Sequence, residues 1–183
     1  MKTCILVIDA QESFRQRPYF TEHDLPAYLA AQNALIDGCV AKSIPVVQIF
    51  HVDGPLEASN AFAIESGYVK PLAGLHDLKP AATFHKNRHS ALVGTGLGVW
   101  LRQNGIQKII ISGIRTEQCC ETTARHASDE GYAIDYALDA TLTWDMPQPD
   151  GQTLSAANIK MRTATVLEGR FAQVCKVADL LYI

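Results

Sequence analysis

Lys108-Ile109-Ile110-Ile111-Ser112-Gly113-Ile114-Arg115-Thr116-Glu117-Gln118-Cys119-Cys120 is the stretch that decides the fold of this chain. Its first residues form an unbroken apolar run of strand length, the pattern of a strand buried on both faces in a parallel sheet. The turn Gly113 to Thr116 then leads into a helical pattern from about Glu117 to Glu130. Glu130-Gly131-Tyr132 stops that helix and begins the next strand at once, which is the punctuation of a short αβ loop. The same phrase occurs at Ser43-Ile44-Pro45 and at Asn104-Gly105-Ile106. A sheet in which strands and helices alternate is the consequence.

Working outward, Thr3 to Ile8, Val46 to Phe50, Ala133 to Leu138 and Phe171 to Val174 are further apolar runs, with Thr83 to His85 a weaker one. Helical patterns cover Leu25 to Lys42, Gly94 to Asn104, and about Ser155 to Leu167. From Gly54 to Pro80 runs a Pro- and Gly-rich stretch too long for a simple connection, whose Leu56, Phe62, Tyr68 and Leu72 suggest that much of it packs. The 183 residues fit one domain, 1–183, able to bury a substantial core.

A formal net charge of −3, without a basic run, excludes a phosphate backbone or anionic membrane as the natural partner. Asp9 cuts the N-terminal apolar run far short of a signal peptide or a membrane span, so a cytoplasmic location is expected. Five cysteines, at 4, 39, 119, 120 and 175, are an odd number without paired C-x-x-C spacing and read as reduced thiols.

Two of those thiols are adjacent. On a helix from Glu117, Cys120 shares a stripe with Thr123, Ala124 and Ala127 and reads as core. Cys119 is turned about 100° away from that stripe, in a first turn where free backbone N–H groups favour a thiolate. In an open parallel sheet, ligands bind beyond the carboxyl ends of the strands. Asp9, Lys86 and Cys119 all fall at such ends. A thiol must lose a proton to attack, a carboxylate can take it, and an ammonium stabilises the anions, so acyl transfer is the reaction class.

These pieces resemble the isochorismatase-like cysteine hydrolases. The resemblance runs over nearly the whole chain through Leu6-Val7-Ile8-Asp9-Ala10-Gln11, Lys86-Asn87-Arg88-His89-Ser90-Ala91-Leu92, Gly113-Ile114-Arg115-Thr116-Glu117-Gln118-Cys119 and Thr123-Ala124-Arg125 through Gly131-Tyr132 to Asp139-Ala140. It implies a three-layer α/β/α Rossmann-like fold with a mostly parallel six-stranded sheet, and a homo-oligomer. It also implies a catalytic triad of Asp9, Lys86 and Cys119, a cis peptide between Ile114 and Arg115, and an oxyanion hole from the N–H groups of Arg115 and Cys119. Members that hydrolyse a vinyl ether lack the cysteine, so Cys119 favours a small amide or related C–N substrate, without a cofactor.

Candidate substrate-binding residues are Gln11, Phe14, His51, Arg115 and Trp144. Arg115 offers a bidentate clamp for a substrate carboxylate, with a salt bridge or subunit contact as its alternative role. The nicotinamidase branch carries an Asp-x-His metal pattern, which here reads His51-Val52-Asp53-Gly54 in reversed order, so no metal is assigned and His51 reads as a pocket-lining or hydrogen-bonded residue. His85 and His89 flank Lys86 as further pocket candidates, whereas His126 lies about 10 Å along its helix from Cys119, too far for a dyad. Competing functions are a thiol-based redox or ligand-binding protein and an isochorismate-type ether hydrolase.

Overall fold

A computed structural model describes residues 1–181. Six strands form one all-parallel sheet: β1 (Thr3–Ile8), β2 (Val46–His51), β3 (Ala82–Lys86), β4 (Lys108–Ile114), β5 (Ala133–Leu142) and, after the short antiparallel ribbon of β6 (Met146–Pro147) and β7 (Thr153–Leu154), β8 (Gln173–Cys175). Their order is β3-β2-β1-β4-β5-β8. Helices α1 (Leu25–Ala41), α2 (Leu97–Gln103), α3 (Glu121–Asp129), α4 (Ala156–Leu167) and α5 (Val177–Leu181) complete the fold. None of the described helices is long and apolar enough to cross a membrane.

The period-two geometry of a strand explains why apolar runs, rather than alternating ones, build this sheet. Ile5, Val7 and Ile110 face one side, with Leu35, Ile36 and Cys39 of α1 and Val177 of α5. Cys4, Leu6, Ile8, Ile109 and Ile111 face the other, against Leu97 and Leu101 of α2, Ala124 and Ala127 of α3 and Leu167 of α4. Each fully buried Ile or Leu contributes roughly 1.5–3 kcal/mol. Two layers of helices therefore sandwich the sheet, as expected.

Several boundaries differ from the sequence reading, each for a local reason. β4 runs on through Gly113 to Ile114, and β5 continues to Leu142 beside it, with a register shift between Ile111 and Gly113. A Cβ on Gly113 would stand 1.9 Å from the Ile8 carbonyl oxygen, and its φ is +123°. Glycine thus acts here as the residue that lets β1 and β4 approach, not as a strand terminator. The helix expected from Glu117 begins instead with one π-helical turn, Thr116–Cys120, followed by α3. Ser155 caps α4, accepting a hydrogen bond from the Asn158 N–H at 3.2 Å. In the 54–80 stretch Phe62 and Leu72 are buried while Leu56 and Tyr68 are exposed, so two of the four residues expected to pack do so. The stretch is tied to the exit of β1 by the Leu72 N–H donating to the Ala10 carbonyl at 2.9 Å.

Candidate active site

Strand order reverses between β1 and β4, and this switch point is where open α/β sheets leave a crevice. Asp9 follows β1 at once, with φ +51°, a left-handed conformation that Asp tolerates better than most residues. The Ile114–Arg115 peptide beyond β4 is cis, as the resemblance implies. The π-helical turn then presents Cys119 toward Asp9. Lys86 ends β3, two strands from β1, with His51 of β2 as its register neighbour. Only a long side chain could cross that distance.

It does cross. Lys86 Nζ lies 2.7 Å from Asp9 Oδ2, 3.2 Å from Cys119 Sγ and 3.2 Å from His51 Nδ1. Asp9 and Lys86 are fully buried along their side chains, so each charge exists only because the other is present. The lysine–aspartate contact is an ion pair rather than an aligned hydrogen bond, and Asp9 Oδ1 is a buried oxygen with no hydrogen-bond partner among the described residues. That oxygen is open to take a proton.

The electrostatics refine the expectation for the thiol. Burial pushes Asp9 above the usual carboxylate range, against the pull of Lys86. Burial and the Asp9 carboxylate push the Cys119 thiol up to about 12, outweighing Lys86. A helix start was expected to ease ionisation, yet desolvation and a neighbouring anion win because both act at contact distance. The resting site therefore holds a thiol, a carboxylate and an ammonium. Burial would lower Lys86, but Asp9 and Cys119 reverse the direction and keep it charged. Burial and the adjacent ammonium push His51 down to about 4, so its neutral ring accepts the lysine hydrogen at Nδ1.

A cavity of about 130 Å³ opens over this group. Its buried lining includes Asp9, Phe14, Phe62 and Cys119, and its outer lining includes Arg17, Asp53 and His89. Of the expected substrate contacts, Phe14 and His51 face it. Gln11 and Trp144 stand behind the lining. The Gln11 amide donates to the His51 carbonyl at 3.0 Å and accepts from the His51 N–H at 2.8 Å, latching β1 to β2. Trp144 stacks on Phe14 with ring centroids 5.7 Å apart and donates its indole N–H to the Thr21 carbonyl.

Arg115 takes its alternative role. Its guanidinium pairs with Glu117 at 3.1 Å, donates to Thr143 Oγ1 and the Trp144 carbonyl at 3.2 Å each, and lies over the Tyr19 ring. These contacts engage Nε and Nη2 within the protein, so the guanidinium is held by Glu117, Thr143 and Trp144. His89 Nδ1 is 3.8 Å from Cys119 Sγ. His85 stacks on Phe50 instead, and His126 lies within hydrogen-bonding distance of Ser90 Oγ at 2.8 Å. Sequence reasoning missed Arg17, Tyr19, Asp53 and Phe62, which come from loops and have no spacing signal.

The residues do not fit a metal. His51 Nδ1 is occupied by the Lys86 ammonium, and no group of three potential metal-ligating side chains forms among the described residues.

The Isochorismatase domain family model matches residues 3–171. This chain belongs to the isochorismatase family. Among curated relatives, an uncharacterised isochorismatase family protein of Bacillus subtilis, YrdC, is 25% identical over 98% of this chain and 95% of its own length. Nicotinamidase 3 of Arabidopsis thaliana is 38% identical over 66 residues, a match covering 36% of this chain and 33% of that protein. The chain therefore spans about a third of that relative's length. A solved isochorismatase-family protein from Chromobacterium violaceum superposes with a TM-score of 0.89 at 25% identity, covering 99% of this chain and 92% of that one. A cysteine hydrolase from Pseudomonas syringae shares the fold, with a TM-score of 0.89 at 22% identity over 99% of this chain and 91% of that one. The molecule is an isochorismatase-family hydrolase.

Proposed function

We propose that this isochorismatase-family hydrolase cleaves a small amide or related C–N bond through a thioester on Cys119. The observation that carries the reading is the buried Lys86 ammonium, 2.7 Å from Asp9 and 3.2 Å from Cys119 beneath the cavity. The relative named Nicotinamidase 3, whose name describes amide hydrolysis, supports it.

Because the thiol rests protonated, its proton leaves as it attacks. Asp9, raised by burial, is a stronger base than a solvated carboxylate and takes that proton while sulfur adds to the substrate carbonyl. Negative charge moves to the carbonyl oxygen, where the N–H groups of Arg115 and Cys119 receive it, and Lys86 offsets the charge forming on sulfur. Asp9 returns the proton to the departing nitrogen as the C–N bond breaks. Water, deprotonated by Asp9, then splits the thioester and restores the thiol. A cavity of about 130 Å³ admits a compact substrate, well below the 300–1,000 Å³ of drug-sized sites.

Mass spectrometry tests the reading. Quenched turnover of small amides and ureido compounds should leave an acyl adduct on Cys119, absent from Cys119→Ser and strongly reduced in Asp9→Asn. A C–N substrate turned over normally by Cys119→Ser would refute it.

A further inference from the structure

We propose that Arg17 is a carboxylate-binding residue of the cavity, so that the preferred substrate carries an anionic group on the side remote from its scissile carbonyl. The inference rests on the proposal that the cavity beside Cys119 receives a small carbonyl compound. Arg17 lines that cavity together with Asp9 and Cys119.

Its side chain differs from the other arginines around it. Arg15 pairs with Glu22 and Glu12, and Arg115 with Glu117. Arg17 has no ion pair or side-chain hydrogen bond to another described residue, and its contact is a stack over the Phe62 ring, with the guanidinium carbon 4.6 Å from the centroid. A guanidinium lying on a ring face keeps its N–H donors in plane and unspent, already oriented as a fork for a carboxylate. The support is rigid. Phe62 is buried and packs edge-on against Phe14 at 5.2 Å, and the Arg17 N–H closes the preceding 3₁₀ turn by donating to the Phe14 carbonyl at 3.0 Å.

The remaining charges of the cavity leave this role open. Asp9 and Lys86 neutralise each other, while His51 is neutral. Asp53 also faces the cavity and keeps its negative charge, but it forms no ion pair with Arg17, and its Oδ1 accepts the Gly54 N–H at 2.9 Å. A free cation with a preset donor plane is therefore paired, across a small cavity, with a nucleophile.

The test uses two matched alkylating reagents, anionic iodoacetate and neutral iodoacetamide, with labelling of Cys119 followed by mass spectrometry. The thiolate displaces iodide in both cases, so the ratio of their rates reports attraction of a carboxylate without requiring turnover. Arg17→Met should lower the iodoacetate-to-iodoacetamide ratio by about tenfold to a hundredfold, the range expected for a charge-assisted hydrogen-bond pair. Arg17→Lys should fall between, and Arg15→Met should keep the parent ratio. The same order should appear in kcat/KM for succinamate relative to butyramide. An unchanged ratio in Arg17→Met overturns the anion site. An Arg17-dependent ratio with no acyl adduct from any amide overturns the hydrolase reading alone.

Discussion

Replacing Lys86 by Met keeps the length of the side chain and removes its charge, leaving Asp9 fully buried without a cation. Lys86 Nζ is 2.7 Å from Asp9 Oδ2, and burial already drives Asp9 upward against that contact. In Lys86→Met the largest influence opposing burial is gone and only the weaker ones of Cys119 and His89 remain, so the folded protein holds the Asp9 proton to higher pH than the parent does. An unfolded Asp loses its proton near pH 3.9. Above that pH the folded variant binds more protons than the unfolded chain, so stability falls as pH rises, by up to about 1.4 kcal/mol per unit. Over roughly three units, to pH 7, this approaches 4 kcal/mol, within the 3–5 kcal/mol typical of breaking a buried ion pair. Urea denaturation from pH 4.5 to 7.5 should show the variant losing stability more steeply than the parent. Asp9→Asn/Lys86→Met should flatten the profile, because Asn carries no proton to lose. At neutral pH the variant's Asp9 no longer acts as a base, and kcat/KM should drop by about 10² to 10⁴. Parallel stability profiles for parent and Lys86→Met, or a double variant as steep as the single, would refute the argument.

The two neighbouring cysteines should separate cleanly. Cys119→Ala should bring amide turnover to background, whereas Cys120→Ala, in the α3-side core, should cost about 1–2 kcal/mol and lower Tm by roughly 2–8 °C in calorimetry while retaining the acyl adduct on Cys119. Arg115→Met would leave the buried Glu117 carboxyl without its cation and should cost about 3–5 kcal/mol, with equal effects on KM for succinamate and butyramide; a rise confined to succinamate would restore the clamp. Gly113→Ala places a Cβ 1.9 Å from the Ile8 carbonyl oxygen at a positive φ, contacts that neither strand can relieve, and should destabilise by about 3 kcal/mol or more. Tm is the readout there, and a loss below about 1 kcal/mol would show that β1 and β4 can separate.

The sheet was legible because its physics is local and periodic. Every expected strand exists, and Thr3–Ile8 has the expected bounds, since an apolar run buried on both faces leaves no other way to satisfy its residues. The errors gather where one residue type serves two purposes. Gly113 and Ile114 look like the start of a turn, yet Gly113 allows a close approach to β1 and the strand runs on to Ile114. β5 then lengthens beside it, a change that depends on its neighbour and leaves no mark in its own sequence. Thr116–Cys120 likewise has helical composition but forms a π-helical turn, a distinction of one hydrogen-bond step.

The candidate site divides along the same line. Asp9, Lys86 and Cys119 could be collected because each closes or follows a strand, and a parallel sheet brings all such ends to one edge. Charge state was harder to read. The sequence puts Cys119 near the start of a helix, which favours a thiolate, but only the folded arrangement adds a buried carboxylate and an ammonium, whose balance with desolvation leaves a protonated thiol. The arginines show the same limit. Arg115 is adjacent to the cysteine turn in sequence, which left an anion clamp and a salt bridge both open, and its guanidinium pairs with Glu117, two residues away. Arg17 has no motif around it. It reaches the cavity through a 3₁₀ turn and the Phe62 face, and Phe62 comes from the irregular 54–80 stretch. In this fold the candidate catalytic residues sit on strand ends, a regular position that can be read, whereas the proposed carboxylate-binding Arg17 sits on a loop whose meeting point with Phe62 only tertiary packing defines.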